Sequence, residues 1–185
     1  MKATILQRLD RIESELAIQQ LPARYAVAID SRDIDTWLGL FVADVDCGRH
    51  GRGREALRRW IEPAVKTFYR SHHQICGHVI DFIDENSATG KVYCRAEHED
   101  GDRWIVMAIC YSDRYERRDG RWYFVSRNEQ HWYACDVLDR PQNVAFQGWD
   151  AWPENEPRLP QGFPSWKRFW KSSDPGVIES LSRKP

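Results

Sequence analysis

Residues 70–90 read RSHHQICGHVIDFIDENSATG. Most of the stretch is rich in β-branched and aromatic residues, and ENSATG at 85–90 is a cluster of turn formers, so it reads as a strand running into a turn. The spacing predicts that strand over about 73–84, and three more at about 91–99, 104–117 and 121–134, joined by EDGDR (99–103) and RRDGR (117–121). Connections this short join antiparallel neighbours, so the four strands make a meander.

Upstream the pattern is helical. Ile5, Leu9, Ile12, Leu16 and Ile18 recur at roughly helical spacing, and a second helical stretch covers about 14–31, with Pro22 either kinking it or separating two helices. DIDTWLGLF (33–41) predicts a short helix capped by Asp33 or Asp35, and VDCGRHG (45–51) a short strand. GREALRRWIEPAVKTFYR (53–70) predicts an amphipathic helix carrying Leu57, Trp60, Ile61, Val65 and Phe68, disturbed locally by Pro63. Helices followed by a strand meander make an α+β domain, here a curved sheet around a helical layer enclosing a cone-shaped pocket. That domain is expected over residues 1–138. From about Asp139 the composition changes: seven of the nine prolines and four of the nine tryptophans lie beyond it. This is too aromatic for a flexible linker, so 139–185 is expected to be an extended arm packing on the domain or on a neighbouring subunit.

Composition removes several classes of function. A net charge of −1 offers no electrostatic case for nucleic acid or an anionic membrane. No apolar run approaches the roughly 18 residues of a membrane span, and the charged N-terminus lacks the apolar core of a signal peptide. The five cysteines are odd in number, scattered and mostly in apolar contexts, which fits reduced thiols in a cytoplasmic protein. Nine tryptophans ask for a large apolar cavity or interface.

Three of the six histidines fall between His72 and His78. On a regular strand His72 and His78 share one face, roughly 20 Å apart, and His73 points to the other. A metal needs its ligands about 2.0–2.3 Å away, so these histidines form no single site. No HExxH or CxxC completes one elsewhere, and no metal is expected. A bulge would reverse the parity. What remains is one inward histidine, taken as His73. His50 in RHGRGR reads as a solvated loop residue, His98 in RAEHED as an exposed approach to a turn, and Trp37 and Trp60 as core more than as substrate clamps.

AIQQLPARYAVAID (17–30), SHHQICGHVID (71–81) and YERRDGRWYFVSRN (115–128), in this order of elements, resemble the SnoaL-like families of the nuclear transport factor two-like superfamily, over roughly residues 5–135. Within it the chain is similar to a group of dehydratases and eliminases that includes scytalone dehydratase, bile acid 7α-dehydratase and hexachlorocyclohexane dehydrochlorinase. The resemblance implies an Asp late in the long helix, matched by Asp30, and a His at the start of a strand, matched by His73. It also implies a Tyr five residues before the Asp, matched by Tyr25, where the dehydrochlorinase has Lys, and an Arg on the last strand, matched by Arg127. The dehydrochlorinase's first-strand Trp aligns with Cys47, a departure that changes the pocket wall.

The implied chemistry is general-base elimination without a cofactor. Histidine titrates near neutrality, and an Asp fixes its tautomer and stabilises the imidazolium. A carboxylate at the negative end of a helix is mildly disfavoured, so a buried Asp30 needs a partner such as His73. Tyr25 would polarise a substrate oxygen and Arg127 would stabilise developing negative charge, although Tyr25 and Asp30 sit about 140° apart around a helix. Trp37, Cys47, Glu129 and His131 are candidate wall residues. The expected function is a dehydratase-type lyase acting on a small, hydrophobic, cyclic substrate, in a homo-oligomer (dimer or trimer) formed through the sheet and the arm. Alternatives are an isomerase or cyclase, an epoxide hydrolase drawing its second carboxylate from Glu129, Glu97 or Asp46, and a non-catalytic binding or assembly module.

Overall fold

The computed structural model of the chain describes residues 4–142, 149–150, 152, 157–171 and 174–176. Helix α1 (Ile5–Asp30) starts at a reciprocal cap in which Thr4 and Gln7 satisfy each other's backbone N–H. The two overlapping helical stretches expected up to residue 31 are one helix, with the buried Pro22 inside it. Its core face carries Ile18, Leu21, Tyr25, Ala28 and Ile29, whereas Ile5, Leu9, Ile12 and Leu16, which share its periodic pattern, are exposed. Helix α2 (Ile34–Gly39) is capped by Asp33, which accepts from Thr36 N–H at 3.0 Å.

The short strand expected at 45–51 is absent. Gly48, Gly51 and Gly53 all take positive φ, which an extended strand does not allow, so the segment turns on itself as a 3-10 turn closed by one bridge between Asp46 and Arg52. Helix α3 (Arg54–Ala64) follows, with Pro63 in its last turn. The meander is β1 (Ser71–Phe82), β2 (Ser87–Asp100), β3 (Arg103–Arg118) and β4 (Arg121–Asp136), antiparallel in the order β1-β2-β3-β4. The sheet curves over the helices as an unclosed α+β cone, and Ile18, Trp37, Tyr111, Tyr115 and Phe124 fill the space between the layers. The segment after α2 is tied to β4 by two bonds, from Val42 N–H to the Phe124 carbonyl and from Phe124 N–H to the Leu40 carbonyl, each 2.9 Å.

Two details of the sheet correct the expected facing of histidines. β1 carries a bulge at Cys76, where the register slips between Ile75 and Gly77. The bulge turns His78 to the inner side with His73, and His72 alone of the three faces out. β2 continues past 97, so the alternation that buries Val92, Cys94 and Ala96 also buries His98, which is not at an exposed turn.

The described part of the segment after Asp139 packs on its own subunit. Trp149 lies against Phe68 and His98, with ring centroids 5.6 and 5.0 Å away, and Trp152 against Trp60 and Phe68 at 6.4 and 6.5 Å. Arg158 N–H and Leu159 N–H both donate to the His131 carbonyl at 3.0 Å, and the segment includes a helix, α4 (Pro164–Trp170), instead of staying extended throughout. The remainder of the expected arm lies outside the described residues. Among the described residues, no helix is long and apolar enough to cross a membrane.

Candidate active site

The end of α1 meets the start of β1. There the Asp30 carboxylate accepts three hydrogen bonds of 2.7 Å, from Ser71 Oγ, the His73 backbone N–H and His73 Nδ1. Burial pushes the Asp30 carboxyl up, but the bonds from His73 and Ser71 outweigh it and hold it down at about 2. An ionised carboxylate only accepts, so Nδ1 of His73 carries the hydrogen and Nε2 keeps its lone pair. Arg32, in a left-handed turn just after the helix, donates to Ser71 Oγ at 2.9 Å and to the Ile29 carbonyl at 2.8 Å. A cation and three donors therefore offset the unfavourable end of the helix dipole.

A carboxyl whose folded value lies below its unfolded one stabilises the fold above the unfolded value and loses that contribution as pH falls through the folded value. For Asp30 the window runs from about pH 4 down to about 2. Asp30→Asn should flatten the fall in melting temperature across that window. A variant as acid-sensitive as the parent would show that the pair does not stabilise the fold.

His98 is a functional candidate that reading the sequence missed. Its ring lies 5.6 Å from that of His73 and packs on Phe68 and Trp149. Burial pulls its pKa down to about 3, so it is neutral at physiological pH. The signal was the unbroken alternation Val92, Cys94, Ala96, His98.

Next to this pair lies a cavity of about 540 Å³, within the size range of small-ligand sites. Tyr25, Trp37, Cys47, His50, Trp60, Arg127, Glu129 and Trp152 are among the residues that line it. Exposed His50 thus borders the cavity and is not simply a loop residue. His131 does not line it; it is buried and hydrogen-bonds Glu129, which does. Asp30 and His73 also lie outside the lining, behind Tyr25, whose ring is 6.4 Å from that of His73. The angular offset between Tyr25 and Asp30 has this consequence: the tyrosine faces the cavity and the carboxylate faces the histidine. Burial pushes the Tyr25 hydroxyl well above its usual range and keeps it a hydrogen-bond donor.

Arg127 is not the isolated cation that its place on β4 suggests. It forms a two-pronged pair with Asp113 across the β3–β4 ladder, Nε to Oδ1 at 2.9 Å and Nη2 to Oδ2 at 2.7 Å. Tyr115 donates to the same carboxylate at 2.7 Å, and His78 Nε2 lies 2.9 Å from that hydroxyl. The guanidinium stacks on Tyr25, Tyr111 and Phe124 at 4.5, 4.2 and 4.5 Å, and its Nη1 is buried with no hydrogen-bond partner among the described residues. It can therefore offer the cavity a donor, but with its charge largely neutralised. Among the described residues no three His, Cys, Asp or Glu side chains are placed to hold a metal ion.

A curved four-strand sheet folded over helices, with a cavity between the layers and a His–Asp pair at their junction, defines a cone-shaped protein of the nuclear transport factor two-like kind. The chain matches the SnoaL-like domain over residues 10–128 and belongs to that family. It is 28% identical to the gamma-hexachlorocyclohexane dehydrochlorinase of Sphingobium indicum over 128 residues, 65% of this chain and 81% of that one. The crystal structure of LinA superposes with a TM-score of 0.64 at 25% identity, covering 72% of this chain and 95% of that one. That of a putative scytalone dehydratase from Novosphingobium aromaticivorans superposes at 0.60 and 23% identity, covering 71% and 92%, a likeness of fold.

Proposed function

We propose that the protein is a cofactor-independent lyase that eliminates water from a small, hydrophobic, cyclic substrate. The observation that carries this is the Asp30–His73 bond at Nδ1, which in the neutral imidazole leaves the Nε2 lone pair to accept a proton, with the Tyr25 ring, 6.4 Å away, shared between His73 and the cavity lining. In the step proposed, Nε2 takes a proton from carbon, the C–H electron pair becomes the second bond of an alkene, and the neighbouring C–O bond breaks with its electrons going to oxygen, which takes the proton back from the imidazolium and leaves as water. Asp30 stabilises the imidazolium that forms. Tyr25 donates to the substrate oxygen, and Arg127 Nη1 supplies a second donor for the developing negative charge. Because His73 lies outside the cavity lining and Tyr25 is the lining residue packed on it, substrate reaches Nε2 when Tyr25 moves aside. The dehydrochlorinase relatives, lyases by name, support an elimination as the reaction type.

A second reading is epoxide hydrolysis, because Glu129 and Asp46 both line the cavity and could activate water. Glu97 does not line the cavity; its carboxylate accepts from Arg95 at 2.9 Å and from Trp104 at 2.7 Å. The test is turnover by the full chain, with EDTA present, of cyclic β-hydroxy ketones, cyclic polychloroalkanes and cyclic epoxides. The expected result is an enone from the hydroxy ketone. A diol from the epoxide alone would replace the lyase by a hydrolase. Tight binding of all three classes without turnover would make the protein a binding module.

A further inference from the structure

Helix α1 has two apolar faces, and among the described residues only one is covered. Ile18, Leu21, Tyr25 and Ile29 lie on the core side. Ile5, Leu9, Ile12, Leu16 and Val27 fall within roughly 40° of a line along the opposite side, given 3.6 residues per turn. They are 73, 50, 53, 57 and 71% exposed, and Leu6 widens the stripe at 74%. A helix that is apolar on both faces is normally buried on both. The steps from 5 to 9, 12 and 16 alternate four and three, the seam spacing of two helices packed side by side.

The geometry points to a second copy of this chain as what covers the stripe, with the two α1 helices packed antiparallel about a two-fold axis. Charge complementarity argues for this occupant. Arg8 and Glu15 flank the same edge of the stripe two turns apart, so an antiparallel pairing sets each Arg8 against Glu15 of the partner subunit, twice by symmetry. Area argues the same way. Five large aliphatic side chains between Ile5 and Leu16, each at least half exposed, offer several hundred square ångströms of apolar surface, comparable to the largest patch monomers usually leave open and a major share of the ~800 Å² per partner of a stable interface. A lipid surface fits less well, because residues 4–20 hold two arginines against three acidic residues. This interface is separate from the cavity and from the sheet, and it does not depend on the proposed reaction.

The experiment is the mass of the full chain in solution, by light scattering on a sizing column and by sedimentation over a concentration series. The expected result is that Leu9→Glu/Ile12→Glu halves the mass of the wild-type assembly while the melting temperature of the subunit holds, because both positions are exposed. Arg8→Glu and Glu15→Arg should each weaken the assembly, and Arg8→Glu/Glu15→Arg should restore it. A wild type that is monomeric at every concentration overturns the inference and assigns the stripe to a different partner. So does an assembly of any size whose mass is unchanged in Leu9→Glu/Ile12→Glu. Charge variants that weaken singly but are not rescued together overturn the antiparallel register.

Discussion

His73→Ala should lower turnover by about 10²–10⁴-fold, the usual contribution of a positioned general base, and leave the fold intact. 5-Nitrobenzisoxazole is a suitable substrate, since its ring opens once a single proton leaves carbon, so it reports the base before the natural substrate is known. Asp30→Asn should cost a comparable factor. Asp30 now accepts from His73 Nδ1 at 2.7 Å, and an amide that presents its NH₂ there favours the tautomer with the hydrogen on Nε2, which removes the lone pair. The double variant should be little worse than either single one, because the two groups act as one unit. His72→Ala is the control, as its side chain leaves the opposite face of β1. If His73→Ala turns over as fast as the parent, the elimination reading fails. If His72→Ala is the inactive one, the proton is taken outside the cone.

Asp113→Asn should be the most destabilising single change outside the apolar core. The Asp113 side chain is 0% exposed and that of Arg127 4%, so the substitution leaves a guanidinium buried with no countercharge. Breaking a buried pair in this way costs about 3–5 kcal/mol. For a chain of this size that is of the order of 10 °C in melting temperature. The single amide oxygen of Asn replaces only one of the two carboxylate acceptors, so the Tyr115 hydroxyl and the two Arg127 N–H groups can no longer all be satisfied, which adds to the cost. Replacing both partners, Asp113→Leu with Arg127→Leu, should recover part of the loss, because no charge is then stranded. By contrast, breaking the exposed Arg118–Asp44 pair should change little. Thermal and urea unfolding measure all of these. A loss of only a degree or two for Asp113→Asn would mean that water reaches Arg127 and that the guanidinium is far more available to a ligand than its burial indicates.

The meander was legible because each of its strands is bounded by local turn chemistry; the RRDGR turn closes on Asp119 and Gly120, both at positive φ. The capped start of α2 at Asp33 was legible for the same reason, since the cap bonds a residue only three positions away. The 45–51 segment was misread because its apolar residues looked like a strand, while glycines 48, 51 and 53 had already excluded one. His98 was read as an exposed approach to a turn although the expected strand at 91–99 contains it; β2 runs to Asp100, and its alternation buries the side chain. Strand ends depend on pairing with the neighbouring strand, here Trp104 and Ile105 of β3 opposite Glu99 and His98.

The sequence by itself determined the four-strand antiparallel meander that follows the helices and the residue types available for proton transfer, because those follow from periodicity and turn residues within a few positions of each other. Only the tertiary structure decided which side chains meet. The bulge at Cys76 sets which histidines of β1 face inward, and the register of β3 on β4 gives Arg127 its countercharge at Asp113. The Ile5–Leu16 repeat shows the limit most plainly: its spacing specifies a helix with an apolar stripe, but the core took the opposite face of α1. A repeat along one helix records that a face needs covering. What covers it depends on groups far away in the chain, or in another chain, and no local pattern contains them.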